Sequence, residues 1–440
     1  MGSPLSRRLR IGYASGGIAT GAFGTVPGLL LLPYLTDSLG ITSLVAGLIV
    51  FLPKAWDVIL NPITGRLSDR FTTRHRTRRP FLLWGGIALA VSFVLLFSGP
   101  SRPVMLSGAW VVLAFVLCAT AYSVFQVPYV AMPAELTNDY TERTRLMTWR
   151  VAILAVAILA SGATAPLMRN AVGGAAGYRA MAAFVAMLII IGTLGAYFGT
   201  RTAPPTTVES PTGSLLTQLR LALGVRDFRL LLITFVIQAL AIGAMLAGVD
   251  YVARIVLSRP AASSILFVCF VGPALLVAPA WQRLAEQAGK KPGYLIASGV
   301  LAVGALGLLA AGQVPLIIVY LLTGVTGIGY AGCQLFPLAM LPDTTAHDAV
   351  RTGANRVGVF TGVWTAGETL GLAIGPAVFA VILSLGGYVS STGTAVTQPA
   401  TAVTAVTLGF SLVPAVLILL SLLALRGYSL TRSDVAQENT

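Results

Sequence analysis

Twelve stretches of this chain are apolar for long enough to cross the roughly 30 Å hydrocarbon core of a bilayer. They lie near residues 11–35, 41–65, 81–99, 104–131, 146–168, 179–200, 228–252, 262–284, 293–312, 314–341, 356–388 and 403–425. Nothing else in the sequence constrains the fold as tightly. Hydrocarbon offers no hydrogen bonds, so each run must satisfy its own backbone, and runs of this length do so as α-helices. The remaining composition agrees: of 440 residues, 56% are hydrophobic and only 10% charged, a balance outside the range of soluble domains. The chain is read as an all-α polytopic membrane protein. Its tenth and eleventh runs exceed the core thickness and are expected to tilt or break.

The formal net charge is +14, which on a soluble chain would suggest nucleic acid. Its placement says otherwise. Of the 29 Lys and Arg, 23 fall at the N-terminus, in the even-to-odd loops or at the C-terminus. Five (Arg102, Arg169, Arg179, Arg254 and Arg259) fall in the opposite set, and Lys54 lies within a run. This is the positive-inside bias; it predicts both termini in the cytoplasm and no nucleic-acid partner. Cys118, Cys269 and Cys333 are odd in number and scattered through apolar runs, so neither a disulfide framework nor a metal site is expected. His75 and His347 sit in loops with no second ligand at metal spacing. Basic residues are nearly all arginine, which points to a GC-rich bacterial genome and the bacterial inner (plasma) membrane. The start, MGSPLS, fits an N-myristoylation pattern, yet one acyl chain adds nothing to a polytopic protein. The first run is too long for a cleaved signal peptide.

The two halves repeat. AMPAELTNDYTERT (131–144) and AMLPDTTAHDAVRT (339–352) align at a constant offset of 208, and RLSD (66–69) followed by RRPF matches RLAE (283–286) followed by KKPG. These matches lie in polar loops, where chance similarity between apolar helices cannot produce them. The expected domains are a six-helix bundle over 1–200, a cytoplasmic linker over 201–227 with an amphipathic end, a second bundle over 228–428, and a tail over 429–440. Parallel repeats related by an axis along the membrane normal build one large transporter fold.

An ionisable group inside the bilayer is costly and by default marks function. Lys54, Asp57 and Asn61 stand at i, i+3 and i+7, which puts them on one helical face. The bland reading is a neutralised pair joining two helices. Glu368 lies four residues after Trp364 and reads either as a second titratable group or as the partner of an arginine such as Arg150. Asp250, four before Arg254, fits an interfacial pair. Glycines 12, 16, 17, 21, 24 and 28 make small-xxx-small runs that allow close helix packing.

GRLSDRFTTRHRTRRPF (65–81) resembles the helix-two-to-three loop of the major facilitator superfamily, with Thr77 where that loop usually has glycine. KAWDVILNPITGRLSD (54–69), QVPYVAMPAELTNDYTERTRLMTWR (126–150) and FPLAMLPDTTAHDAVRTGANRVGVFTGVW (336–364) are together similar to the glycoside–pentoside–hexuronide:cation symporter group. The resemblance spans nearly the whole chain. It implies two six-helix repeats in the major facilitator fold and an inner gate of charges: Arg66, Asp69, Arg70, Arg78, Glu135, Arg143, Asp343 and Arg351. It also implies that Asp57 binds the coupling cation, with Asn61 where sodium-using members often carry Asp, and Lys54 beside it. An amide can ligate sodium but cannot titrate, so a proton is favoured over sodium. Arg150 matches a cavity-facing basic residue. Gln126 and Val130 replace the aspartate and the aromatic platform of sugar-carrying members, Thr369 stands at a family lysine, and no aspartate occurs in GYASGGIATGAFG.

Those departures disfavour galactosides and favour a less hydroxylated, amphipathic or anionic solute, framed by Tyr122, Gln126, Tyr129, Arg150, Gln334, Trp364 and Glu368. The expected activity is cation-coupled secondary transport by alternating access, by a monomer in contact with membrane lipids, with no cofactor beyond a coupling proton or sodium. Lysophospholipid transport, or uncoupled passage of lipid or solute, is the alternative. An enzyme would need a nucleophile–base pair or metal ligands within the bundle, and both histidines lie outside it. A primary pump would need a nucleotide-binding G-x-x-x-x-G-K-[ST] loop, which is absent from the 440 residues.

Overall fold

The computed structural model describes residues 5–137, 139–202, 215–352, 356–393 and 396–430. The expected linker falls partly, and the myristoylation pattern and tail fall mostly, outside these residues. Among the described residues fifteen α-helices follow one another. In the first half they are α1 (Arg7–Asp37), α2 (Ser43–His75), α3 (Arg79–Leu96), α4 (Val104–Leu136), α5 (Tyr140–Val172) and α6 (Gly174–Gly199). After α7 (Leu215–Gly224) come α8 (Arg226–Tyr251), α9 (Ala262–Val271), α10 (Pro273–Ala288) and α11 (Lys290–Gly307). The chain ends with α12 (Leu316–Thr352), α13 (Val357–Leu385), α14 (Ala400–Phe410) and α15 (Leu412–Arg426). Among the described residues twelve spans are long and apolar enough to cross a membrane, with α9–α10 and α14–α15 making one span each.

The breaks fall elsewhere than expected. The tenth and eleventh spans, α12 and α13, run unbroken through Pro337, Pro342 and Pro376. The eighth breaks at Gly272–Pro273 and the twelfth at Ser411, three residues before Pro414. Proline lacks the N–H that would bond the carbonyl four residues back, which leaves Cys269 O and Phe410 O without their helical donors at these two places. Several helices also outrun their apolar stretches, α2 to His75 and α12 to Thr352. Hydropathy ends at the first charge, whereas backbone bonding continues into water.

The chain separates into two compact units, Met1–Pro211 with Val389–Thr397, and Thr212–Tyr388 with Gln398–Thr440. The short segment between α13 and α14 thus belongs to the first unit: Ser391 N–H donates to Thr36 O (2.9 Å) and Gly393 N–H to Asp37 O (2.8 Å). The amphipathic α7 packs on α8 and α13 within the second unit.

In the first unit α1 is central, packed on α5 and α6. A Cβ on Gly12 would lie 2.3 Å from Gly199 Cα, so α1 and α6 meet backbone to backbone there. α2 has two faces. Leu52, Trp56, Ile59, Ile63 and Leu67 are exposed, while Asp57, Thr64, Ser68 and Thr72 are buried. An apolar exterior and a polar interior are what a helix between lipid and a solute path requires.

Candidate transport site

Three elements of the first unit carry the polar centre. On α2, Asp57 is 8% exposed and accepts a hydrogen bond from the Asn61 side chain, one turn on. Lys54 acts on Asp57 through its charge, but among the described residues neither makes an ion pair within 4 Å. Asp57 Oδ1 is buried without a hydrogen-bond partner among them. Pro53 and Pro62 bracket this turn, leaving the carbonyls of Ile49 and Val58 without their helical donors. On α4, Gln126 Oε1 accepts from Thr20 Oγ1 of α1 (2.7 Å), and Tyr122 packs on Phe23 with ring centroids 4.7 Å apart.

Tyr129 is wholly enclosed. Its hydroxyl donates to Tyr13 O (3.0 Å), and the Tyr13 hydroxyl donates back to Tyr129 O (3.1 Å). Sequence explains the second bond: Pro133, four residues on, cannot supply the N–H that Tyr129 O would otherwise accept. The two rings stack 4.7 Å apart, and the Arg150 guanidinium lies 5.2 Å from the Tyr129 centroid. Tyr129 therefore holds α1, α4 and Arg150 in place, and its ring is spent on packing. Arg150 Nε has no hydrogen-bond partner among the described residues.

In the second unit, Gln334 Nε2 donates to the Tyr330 hydroxyl (3.3 Å) on α12. Tyr330 and Gln334 stand at the repeat offset of 208 from Tyr122 and Gln126, a correspondence that the loop alignment already implied. Trp364 of α13 is enclosed and stacks on Phe235 at 4.4 Å, with its indole N–H unpartnered among the described residues. Glu368, half-buried one turn on, makes no hydrogen bond or ion pair among them.

The charged residues separate into two clusters, one per unit. Arg78 is 4% exposed and spends all three nitrogens: Nη2 on Asp69 (2.6 Å), Nε on Glu135 (2.5 Å) and Nη1 on Ser68 Oγ (2.7 Å). Arg143 donates to Thr137 O, whereas Arg66 and Arg70 are exposed and make no such contact among the described residues. In the second unit Lys290 Nζ binds Asp343 (2.6 Å) and Ala339 O (2.9 Å). Sequence reasoning passed over Lys290 because topology alone accounts for basic loop residues, although the RRPF/KKPG match pairs it with the Arg78 loop. Asp348, also missed, is 1% exposed with Arg356 at 3.7 Å and Arg351 at 4.0 Å.

The sequence matches the family described as MFS/sugar transport protein over residues 12–432. The chain belongs to that family. It is 26% identical to the inner membrane symporter YicJ of Escherichia coli (strain K12), covering 98% of this chain and 94% of the relative. It is 26% identical to the isoprimeverose transporter of Lactiplantibacillus pentosus, covering 92% and 85%. It is 24% identical to the sodium-dependent lysophosphatidylcholine symporter 1-A of Danio rerio, covering 76% and 69%. The fold matches that of a bacterial homologue of the human lysosomal transporter Spinster, with a TM-score of 0.67 at 13% identity over 98% of this chain and 97% of that one. The chain is a transporter of the symporter class and not an enzyme, a multi-pass protein of a bacterial plasma membrane.

Proposed function

We propose that this chain moves a small solute by alternating access, coupled to a proton in preference to sodium, with Asp57 as the coupling carboxylate. The observation that carries this reading is the state of Asp57: a buried carboxylate with one free oxygen, whose hydrogen-bonding neighbour is the amide of Asn61. A hard cation is held by several oxygen ligands at once, and an amide beside a lone carboxylate supplies few. A proton needs one oxygen. Lys54, already close enough to act on Asp57, takes over as counter-charge when the proton leaves. The solute is glycoside-like, amphipathic or anionic, received by Arg150, whose guanidinium Tyr129 holds in place. Asp69, Arg78, Glu135, Lys290 and Asp343 act as gate charges within their own units.

The test is thermal unfolding of the purified chain against sugars, glycosides, organic anions and lysophospholipids, at two pH values and with or without sodium. A bound ligand raises the melting temperature by mass action. An anionic or glycosidic hit that depends on pH and is indifferent to sodium supports the reading; a hit that requires sodium contradicts the proton assignment. A lysophospholipid hit would favour the second reading, a lipid transporter, for which the named activity of the Danio rerio relative is the specific support.

A further inference from the structure

Two arginines rest on neighbouring rings at the C-terminal end of α6. The last carbonyls of a helix lack the N–H donors that later turns would supply. Here Arg201 N–H turns back to Phe198 O (3.3 Å) and leaves Tyr197 O without its helical donor. Arg79, the first residue of α3, replaces that donor with Nε (3.2 Å) and Nη2 (3.0 Å). Its guanidinium lies 4.5 Å from the Tyr197 centroid, the Tyr197 and Phe198 centroids are 5.2 Å apart, and the Arg201 guanidinium lies 5.2 Å from the Phe198 centroid. Cation–π attraction thus holds both charges against one pair of rings. Among the described residues neither arginine pairs with a carboxylate, and Arg79 Nη1 and the Arg201 guanidinium make no hydrogen bond.

The exposed face of α6 selects the ligand. Met187, Ile191 and Phe198 are each 50% exposed, and spacings of four and seven residues set them in one stripe along the helix. Arg201, three residues after Phe198, closes the stripe with a charge. From Met187 to Phe198 the helix rises about 17 Å, close to the roughly 15 Å of hydrocarbon in one leaflet. A helix that spans a membrane presents such a stripe to acyl chains. A molecule that lays hydrocarbon on the stripe and negative charge on the two guanidiniums is an anionic phospholipid. A phosphate receives a guanidinium edge through two oxygens, and basic pockets between membrane spans bind anionic headgroups. A zwitterionic headgroup brings its own ammonium and gains less from two further cations.

We propose that Arg79 and Arg201, carried on Tyr197 and Phe198, bind the phosphate of an anionic phospholipid whose acyl chain lies along α6. The site is built within the first unit from α3 and α6, not from the α2 segment that holds Asp57, and it is independent of the solute that the chain moves.

The experiment titrates the full chain in detergent with dioleoyl phosphatidylglycerol, beside dioleoyl phosphatidylcholine and inorganic phosphate, with melting temperature as the readout. Phosphatidylglycerol raises it more than phosphatidylcholine does, and inorganic phosphate leaves it unchanged. Arg201→Gln, at an exposed position, moves the phosphatidylglycerol midpoint up about fivefold. Arg79→Gln does the same, measured from its own unliganded melting temperature. Arg74→Gln, which removes an exposed arginine at the end of α2, leaves the midpoint where it was and so separates a built site from general positive charge. Equal stabilisation by phosphatidylcholine, the full shift from inorganic phosphate, a midpoint unmoved by Arg201→Gln, or one moved as far by Arg74→Gln overturns the proposal.

Discussion

Arg78 ties together a dense local network in the first unit. Its three nitrogens satisfy Asp69, Glu135 and Ser68 in a site nearly closed to solvent. Removing one member of such a cluster costs more than its bonds are worth, because the carboxylates stay buried without a partner. Arg78→Ala should destabilise the chain by about 3–5 kcal/mol, read as a lowered melting temperature in detergent. Arg78→Lys should recover little of this, since one ammonium cannot reproduce the planar fork. Tyr129→Phe keeps the stack on Tyr13 and loses the hydroxyl's bonds to Tyr13 O and to Arg150, so about 1–3 kcal/mol is expected. Asp69 and Arg78 stand in the loop motif and Glu135 in the 131–144 repeat, which is why sequence singled out these charges; their mutual contact it did not show. The Tyr13–Tyr129 clasp was not legible, because it depends on α1 and α4 meeting, and no spacing rule within one helix reveals a contact 116 residues apart.

Among the helices, α1 shows how small residues act. Gly12 meets Gly199 and Gly16 lies under the Tyr129 ring, where an added Cβ would fall 2.5 Å from ring carbon. Gly12→Leu should cost about 1–3 kcal/mol through overpacking, measured as reduced yield and melting temperature, whereas Gly24→Ala, with nothing within 4 Å of its Cβ, should be neutral. The glycine spacing announced this packing. Helix interruptions were harder to read: length suggested breaks in the tenth and eleventh spans, yet Gly272–Pro273 and Ser411 interrupt the eighth and twelfth. A proline is bridged by a continuous helix in α12, and in α13 even directly after Gly375, so proline and glycine in the sequence do not by themselves place the breaks.

For the whole molecule, twelve spans and two units follow from hydropathy and from the loop repeat, both visible in sequence. The attachment of residues 389–397 to the first unit was invisible, since backbone N–H groups and the Ser390 and Ser391 hydroxyls bond backbone carbonyls of Thr36, Asp37 and Ile41, acceptors that every residue carries. The arginine bias predicts orientation. In a background lacking Cys118, Cys269 and Cys333, Arg74→Cys should react with an impermeant maleimide only from the cytoplasmic side, and Arg102→Cys only from outside. Labelling in the reverse sense would invert the topology. The central claim is that Asp57 couples solute movement to a proton. Its most direct test is Asp57→Asn in proteoliposomes, with a solute from the binding panel, comparing uptake driven by an imposed pH gradient with solute exchange at equal pH. The account predicts that exchange persists while uphill accumulation collapses to the level set by the solute gradient alone. Accumulation in Asp57→Asn equal to that of the unaltered chain would contradict it.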